Sequence, residues 1–273
     1  MQDKTVGLVT YTRLPHLTKS DILIIPEFKK KGIHATPVAW DDKDVNWNQF
    51  STLILRSCWN YHLNDQRFIQ WLSMIRQKGI QLLNPFDVVC WNIHKKYLLE
   101  LEQKGVSIVP ASIVPKQSLV SLHTLFDETS YEEIIVKPAI GASGSGILRI
   151  RKHDKKSEKL FQKLLSVSDC LIQPYIKESH HVEISVVFFG KTYSHSIFRH
   201  SKKLFTPHQS IINQAKSVVN AIPNPLLYAR VDGLIIQGKF LLMELELIEP
   251  ELFFDIYPKG AEAFVECFMK IIT

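Results

Sequence analysis

The segment from Tyr228 to Pro250, YARVDGLIIQGKFLLMELELIEP, constrains this chain most, because its apolar residues recur with a period of two on both sides of a turn. Val231, Leu234 and Ile236 lead into Gln237-Gly238-Lys239, and Phe240 to Leu247 lead out, which predicts a β-hairpin. In the outgoing arm the spacing puts Met243, Leu245 and Leu247 on one face and Glu244 and Glu246 on the other. The incoming arm carries Arg230 and Asp232, again on a single face. Register decides whether these groups meet. A turn with an odd number of residues sets Asp232 opposite Glu244 and Arg230 opposite Glu246, whereas a two-residue turn puts them on opposite faces. Gly238 can supply the left-handed residue of a bulged three-residue loop, so the odd turn is expected.

Three carboxylates and a guanidinium on one sheet face call for a reason. Like charges ~5–7 Å apart repel unless a cation sits among them. Oxygen-only ligands point to Mg²⁺, which takes one or two protein carboxylates and completes its shell with water and substrate phosphates. The competing reading is a solvated outer face of an edge hairpin, with Arg230 neutralising one glutamate. The Arg-x-Asp pair in the facing arm favours a platform for metal and phosphate.

The 273 residues, 45 % of them hydrophobic, allow one to three domains with a large core. No apolar run approaches the ~18–20 residues of a membrane span, so no membrane partner is expected. The opening MQDKTVGLVTY has too short an apolar patch for a signal segment and reads as a first strand. Cys58, Cys90, Cys170 and Cys267 form no C-x-x-C pair, which fits reduced thiols and a cytoplasmic location. A net charge of +6 invites a nucleic-acid reading. However, the densest basic run, Arg149 to Lys163, is diluted by Asp154 and Glu158, and Lys29 to Lys31 end a predicted helix where the dipole favours cations. No nucleic-acid partner is expected; a basic balance suits a phosphate-bearing or acidic small substrate.

Residues 1–90 alternate strand and helix in a βαβ manner. Strands are predicted at Val6–Thr10, Thr36–Val38, Thr52–Leu55 and Gln81–Leu83. A capping box at Thr18 to Asp21 opens a helix through Lys31, and a second helix spans Asn64–Lys78. Open α/β sheets place ligands beyond the carboxyl ends of their strands. The loop after Leu55, with Arg56, Trp59 and Tyr61, is therefore either a site for an acidic small molecule or ordinary loop packing. Trp91–Lys104 reads as one helix carrying Lys95 and Lys96.

Ile134 to Ile150, IIVKPAIGASGSGILRI, then delivers Lys137 on a strand, followed by a loop with Ser143, Gly144, Ser145 and Gly146 and a second strand. A Walker A loop and a dinucleotide fingerprint both run into a helix, and a protein kinase puts its glycines before its lysine, so this order fits none of them. The alternatives are a flap whose backbone N–H groups approach phosphates beside Lys137, or a plain glycine hairpin. Downstream, the strand CLIQPYI ends in Gln173, Pro174, Tyr175 and Ile176, and Glu183 opens another strand. His180 and His181 read as loop residues, since no third ligand is spaced for zinc.

In this order, from about Trp91 to Glu251, these segments resemble the ATP-grasp ligases. The wording of LRSCWNY, LLNPFDVVCWNIHKKYL and LYARVDGLIIQGKFLLMELELIEPELFF is similar to a glutathione-synthetase-like subgroup that includes the cyclo-ligase of cycloserine biosynthesis. The resemblance implies an α/β and α+β architecture: a substrate-binding domain at 1–90, a first lobe with the flap at 91–172, and a second lobe with the hairpin at 173–273, clamping ATP. It implies that Lys95 and Lys137 bind phosphates and that Ser143 to Gly146 close over them. Gln173 to Ile176 would read adenine and Glu183 the ribose. Asp232, Glu244 and Glu246 would carry Mg²⁺, with Arg230 steadying the reacting group. The activity implied is ADP-forming ligation of a small amino-acid-like carboxylate to an amine, within or between molecules, through an acylphosphate; a small-molecule kinase or a nucleotide-binding module without turnover are the alternatives.

Three departures stand out. Glu246 occupies a position where the family often has Asn, and His94 one where it often has Asp. After Arg199 the chain passes almost at once into a helix, where relatives carry a longer loop. His195 and Arg199 are candidate substrate or phosphate contacts, and Glu249 either reaches the acceptor or ends the strand. The oligomeric state is open, a homo-oligomer included.

Overall fold

The computed structural model describes residues 5–142, 144–154, 156–177 and 179–272. Its strands sort into three sheets. The first is parallel, in the order β2-β1-β3-β4, from β1 (Thr5–Thr10), β2 (His34–Ala39), β3 (Thr52–Leu55) and β4 (Gln81–Leu83). Helices α1 (Ile24–Lys30) and α2 (Asp65–Gln77) belong to its crossovers. β3 is buried throughout, as a parallel strand covered on both faces must be. The predicted capping box is half formed. Thr18 Oγ1 accepts from the Asp21 N–H at 2.9 Å, but the Asp21 carboxylate turns away to Arg56 and Ser57, and a short 3₁₀ turn precedes α1.

Next come α3 (Phe86–Asn92) and α4 (Tyr97–Gln103), where the sequence predicted a single helix over Trp91–Lys104. The break has a cause: the Lys95 N–H leaves the helical ladder to donate to Ala139 O at 2.8 Å, and His94 Nε2 meets Asp169 at 2.9 Å. Strands β5 (Ser112–Val114), β6 (Glu133–Pro138), β7 (Leu148–Arg151) and β8 (Cys170–Pro174) form an antiparallel sheet ordered β5-β8-β6-β7, with α5 (Leu122–Asp127) and α6 (Ser157–Leu165) sharing its core.

After α7 (Ser179–Val182), one helical turn where the sequence predicted a loop for His180 and His181, the third sheet follows. It is antiparallel, ordered β11-β10-β9-β12-β13, and contains β9 (Glu183–Phe189), β10 (Thr192–Phe198), β11 (Leu204–Phe205), β12 (Tyr228–Ile236) and β13 (Lys239–Glu246). Helix α8 (Gln209–Asn220) packs on it. So does α4: Leu98 and Leu101 share a core with Val186, Phe188 and Leu242. The outer edge of β13 is closed by residues 107–109, with Val109 N–H donating to Leu242 O at 2.8 Å. The last helix, α9 (Lys259–Ile272), joins the third sheet to the first, because Phe264 and Phe268 bury themselves among Val6, Leu8, Phe28 and Phe189.

The hairpin has the expected register by an unexpected route. Ile236 pairs with Lys239, so the turn holds two residues, not three, and Gln237 (φ 50°) and Gly238 (φ 75°) both take the left-handed conformation of a type I′ turn. Left alone, that turn would put the acids on opposite faces. A β-bulge corrects it. Gly233 pairs with Leu242 but Asp232 with Glu244, which leaves Met243 as the extra residue and sets Arg230 opposite Glu246. Met243 thereby leaves the buried face of Leu245 and Leu247 and lines the cleft instead.

Candidate functional site

Two asparagines hold the hairpin in place. Asn84 Nδ2 donates to Tyr228 O and Leu247 O at 2.9 and 2.8 Å while its Oδ1 accepts from Leu227 N–H. Asn92 clasps β13 the same way, donating to Leu245 O and accepting from Leu247 N–H, both at 2.9 Å. Thus clamped, the polar face of the hairpin floors a cleft of about 600 Å³ between the two antiparallel sheets.

The flap side contributes two lysines, both nearly buried: Lys95 is 7 % exposed and Lys137, on β6, 9 %. Lys95 Nζ donates to Gly141 O at 2.9 Å at the base of the flap and lies 3.1 Å from Glu244 Oε1. The flap itself is exposed, with Gly144 and Ser145 facing the cleft. Gly146 (φ 75°) backs onto Pro138, where a Cβ would lie 2.9 Å from Cγ. Ser143 lies outside the described residues. Gln173, Pro174, Tyr175 and Ile176 all line the cleft, and the buried Gln173 Nε2 has no hydrogen-bond partner among the described residues. Arg149 stacks 3.6 Å over the Tyr175 ring. Glu183 lines the cleft 3.7 Å from His200, its carboxyl pushed up by burial and by the charge of Asp232.

On the hairpin, Arg230 is 2 % exposed and sits between two acids, donating to Asp232 through Nε (3.0 Å) and Nη2 (2.8 Å) and to Glu246. Burial works against its charge, but Asp232 and Glu246 outweigh that and keep it ionised. Glu244 and Glu246 part company. Burial raises both, yet Lys95 and Lys137 pull Glu244 well below the usual carboxylate range, whereas Asp232 and Glu244 add to burial and push Glu246 up despite Arg230. Their side chains remain 30 % and 27 % exposed to the cleft, so solvent tempers both shifts.

Among the described residues, no set of three or more His, Cys, Asp or Glu side chains is disposed around a single point to hold a metal. The carboxylates lean on Arg230 and Lys95 instead. What suits Mg²⁺ is the donor chemistry: oxygen ligands on one face, opening onto a cleft, where unrelieved like charge raises Glu246.

Arg199 lines the cleft, but Arg56 and His195 do not. Arg56 is 0 % exposed, and its guanidinium is consumed by Asp21 at 2.7 Å and by Pro250 O at 2.7 Å. It ties the segment before α1 and the end of β3 to the segment after the hairpin. His195 is 3 % exposed; its Nε2–H donates to Leu252 O at 3.0 Å, and burial lowers its pKa to about 4, which keeps it neutral. From the loop after β3, Trp59 and Tyr61 do reach the cleft, as do His200, Glu249 and Glu251, of which the sequence flagged only Glu249. No spacing rule links His200 to Glu183 or Lys202 to Glu251 (3.3 Å); the tight return from β10 to β11 brings them together.

Fold and cleft together define an ATP-grasp protein. Residues 6–84 match the family described as D-cycloserine synthetase DcsG, N-terminal domain, and residues 99–204 match the prokaryotic glutathione synthetase ATP-grasp domain, about two thirds of the chain between them. The chain belongs to the ATP-grasp ligases. It is 25 % identical over 263 residues to the cycloserine biosynthesis protein DcsG of Streptomyces lavendulae, covering 86 % of this chain and 88 % of that one. The crystal structure of D-cycloserine synthetase DcsG superposes with a TM-score of 0.89 at 22 % identity, covering 98 % of this chain and 100 % of that one. D-alanine–D-alanine ligase from Bacillus anthracis, complexed with ATP, superposes with a TM-score of 0.71 at 15 % identity, covering 98 % and 96 %.

Proposed function

We propose that this ligase uses ATP to activate a small amino-acid-like carboxylate as an acylphosphate and passes the acyl group to an amine, on the same or a second molecule. One observation carries the reading: Lys95 joins the base of the glycine flap to Glu244 on the hairpin, so phosphate-binding and acidic groups share one cleft. The relatives' names, a cycloserine biosynthesis protein and a D-alanine–D-alanine ligase, support an amino-acid-like substrate. In this reading residues 1–90 form the substrate domain, and 91–172 and 173–273 are the lobes that clamp the nucleotide.

Lys95, Lys137 and the backbone N–H groups of the flap offset phosphate charge. Gln173 offers its unpartnered amide to the base, alongside the backbone through Ile176, and Glu183 offers its carboxylate to the ribose. Arg230, fixed by Asp232 and Glu246, presents a rigid donor fork to the reacting group. Asp232, Glu244 and Glu246 would hold Mg²⁺, which when bound neutralises phosphate charge. Positioning and electrostatics supply the catalysis, and no side-chain nucleophile is required. The four thiols are free, which fits a cytoplasmic protein.

Calorimetry of ATP binding with and without Mg²⁺, followed by ADP release across pairs of D- and L-amino acids, tests this. Mg²⁺-sensitive binding and amino-acid-dependent ADP release are expected. Absence of nucleotide binding would sink the reading.

A further inference from the structure

Six acids line the cleft: Glu183, Asp232, Glu244, Glu246, Glu249 and Glu251. Five have a basic partner. Glu183 faces His200 at 3.7 Å, Glu244 faces Lys95 at 3.1 Å, Glu251 faces Lys202 at 3.3 Å, and Arg230 serves both Asp232 and Glu246. Glu249 is the exception. It is the most deeply buried of the acids beyond β13, 8 % exposed, and no Lys, Arg or His among the described residues lies within ion-pair distance of its carboxyl. A buried carboxyl with no basic partner is costly to ionise, so one that lines a cavity is completed by a cationic ligand.

The backbone beside Glu249 is held in place. Trp59 Nε1 donates to Glu249 O at 3.1 Å, and Arg56 Nη2 donates to the next carbonyl, Pro250 O, at 2.7 Å, so the loop after β3 grips two successive carbonyls immediately after the Glu249 side chain. Trp59 and Tyr61, at the carboxyl end of β3, line the same cleft. A carboxylate beside aromatic rings is the surrounding that takes a primary ammonium group, through a charge-assisted hydrogen bond and the negative ring faces.

We propose that Glu249 receives the ammonium group of the amine substrate and accepts one of its protons as the nitrogen attacks the acylphosphate. One ammonium proton first passes to the Glu249 carboxylate and frees the nitrogen lone pair; the C–N bond then forms, the C–O bond to phosphate breaks, and the second proton lost by nitrogen leaves on the departing phosphate as HPO₄²⁻. Burial, and after it the charge of Glu246, raises the Glu249 pKa to about 8 in the free protein; a bound ammonium group favours the carboxylate, and proton transfer from it returns the side chain to the neutral form that burial prefers. The assignment rests on the ligase reading given above and names the acceptor side of that site.

The test compares wild type with Glu249→Gln, which keeps the shape of the side chain and both backbone clamps. Each is given ATP, Mg²⁺ and the panel of D- and L-amino acids, with and without hydroxylamine. Hydroxylamine is uncharged at neutral pH and captures acylphosphates as hydroxamates without needing an ammonium site. Loss of a charge-assisted hydrogen bond predicts a KM for the amine raised ~10-fold or more, and a hydroxamate-to-amide ratio raised by a similar factor. As a readout free of turnover, the cationic probe D-alaninamide should stabilise the ATP-analogue-loaded wild type against heat and fail to stabilise Glu249→Gln. The assignment is overturned if hydroxamate and amide formation fall in step, or if neither changes. If wild type gives neither ADP nor hydroxamate with any amino acid, the ligase reading itself fails and takes this assignment with it.

Discussion

Replacing Gly233 by alanine tests whether the acidic face depends on the bulge. Gly233 is the β12 residue at which the register with β13 slips, and a Cβ there would lie 2.4 Å from Cζ and 2.6 Å from Cε2 of Phe240 and 2.5 Å from Leu241 O. Carbon atoms settle ~3.5–4.0 Å apart, so the ring would have to retreat by about 1 Å. It has little room. Phe240 is 2 % exposed among Val231, Leu242 and Ala215, and its N–H is held by Gln214 at 2.9 Å. The Leu241 oxygen is main chain and cannot move without dragging β13. Overpacking costs ~1–3 kcal/mol, and an obstacle that includes backbone puts this substitution near ~3 kcal/mol. The displacement falls next to the Asp232–Glu244 pair, so ATP affinity should drop at least ~10-fold in the protein that remains folded. Urea unfolding and calorimetry read the two effects. Gly238→Ala is the control: nothing lies within 4 Å of its Cβ, and only its φ of 75° opposes alanine, at ~1–2 kcal/mol with ATP affinity kept. If Gly233→Ala matched Gly238→Ala in both measurements, the reasoning would be refuted.

Arg56→Met should destabilise the fold by ~3–5 kcal/mol, because it strands buried Asp21; unchanged stability with weakened substrate binding would show Arg56 to be a ligand after all. Lys137→Ala should weaken ATP binding ~10-fold or more, whereas Glu244→Ala should chiefly remove its Mg²⁺ dependence; calorimetry separates them. His195 is held neutral in the folded state, its pKa near 4 against an ordinary 6.5, so between pH 6.5 and about 4 the unfolded chain binds the extra proton. Stability should therefore fall as pH drops through that window, by on the order of 3 kcal/mol in all, and His195→Gln should flatten the slope in denaturation at pH 4.5, 5.5 and 7.

Where period and punctuation act locally, the chain was readable. β1, β3, β4 and α2 lie where alternation, Gly79 and the Asn64 cap place them, since each is decided by neighbours within a turn or two. The single predicted helix over Trp91–Lys104 failed because its break is made by Ala139, more than forty residues away, and no helical period records such an acceptor. The hairpin shows a subtler limit. Asp232 does face Glu244, but through two departures that cancel, a two-residue turn and a bulge at Met243. Gln-Gly is a weak type I′ signal, and Met243 differs in no local way from an ordinary strand residue; only the ring of Phe240 lying on Gly233 marks the slip, and that contact is tertiary.

The charged residues divide by the same logic. Arg56 and Lys95 are both cations set among aromatic or helical neighbours in the sequence, and both end up buried. Arg56 is surrounded by buried acceptors, an Asp21 carboxylate and the Pro250 carbonyl, so its donors are used up inside the fold. Lys95 holds one carbonyl and one glutamate that itself opens onto the cleft, so a phosphate can take over part of its shell without stranding a buried group. His195 falls on the Arg56 side of that division and Lys137 on the other, since no ion-pair partner holds Lys137 among the described residues. A polar residue is free for chemistry when its folded partners can be replaced by ligand atoms, and the chain alone does not say what those partners are. Glu249 is the limiting case: its own carbonyl and the next are held by Trp59 and Arg56, and no basic side chain among the described residues pairs with its carboxyl, which lines the cleft.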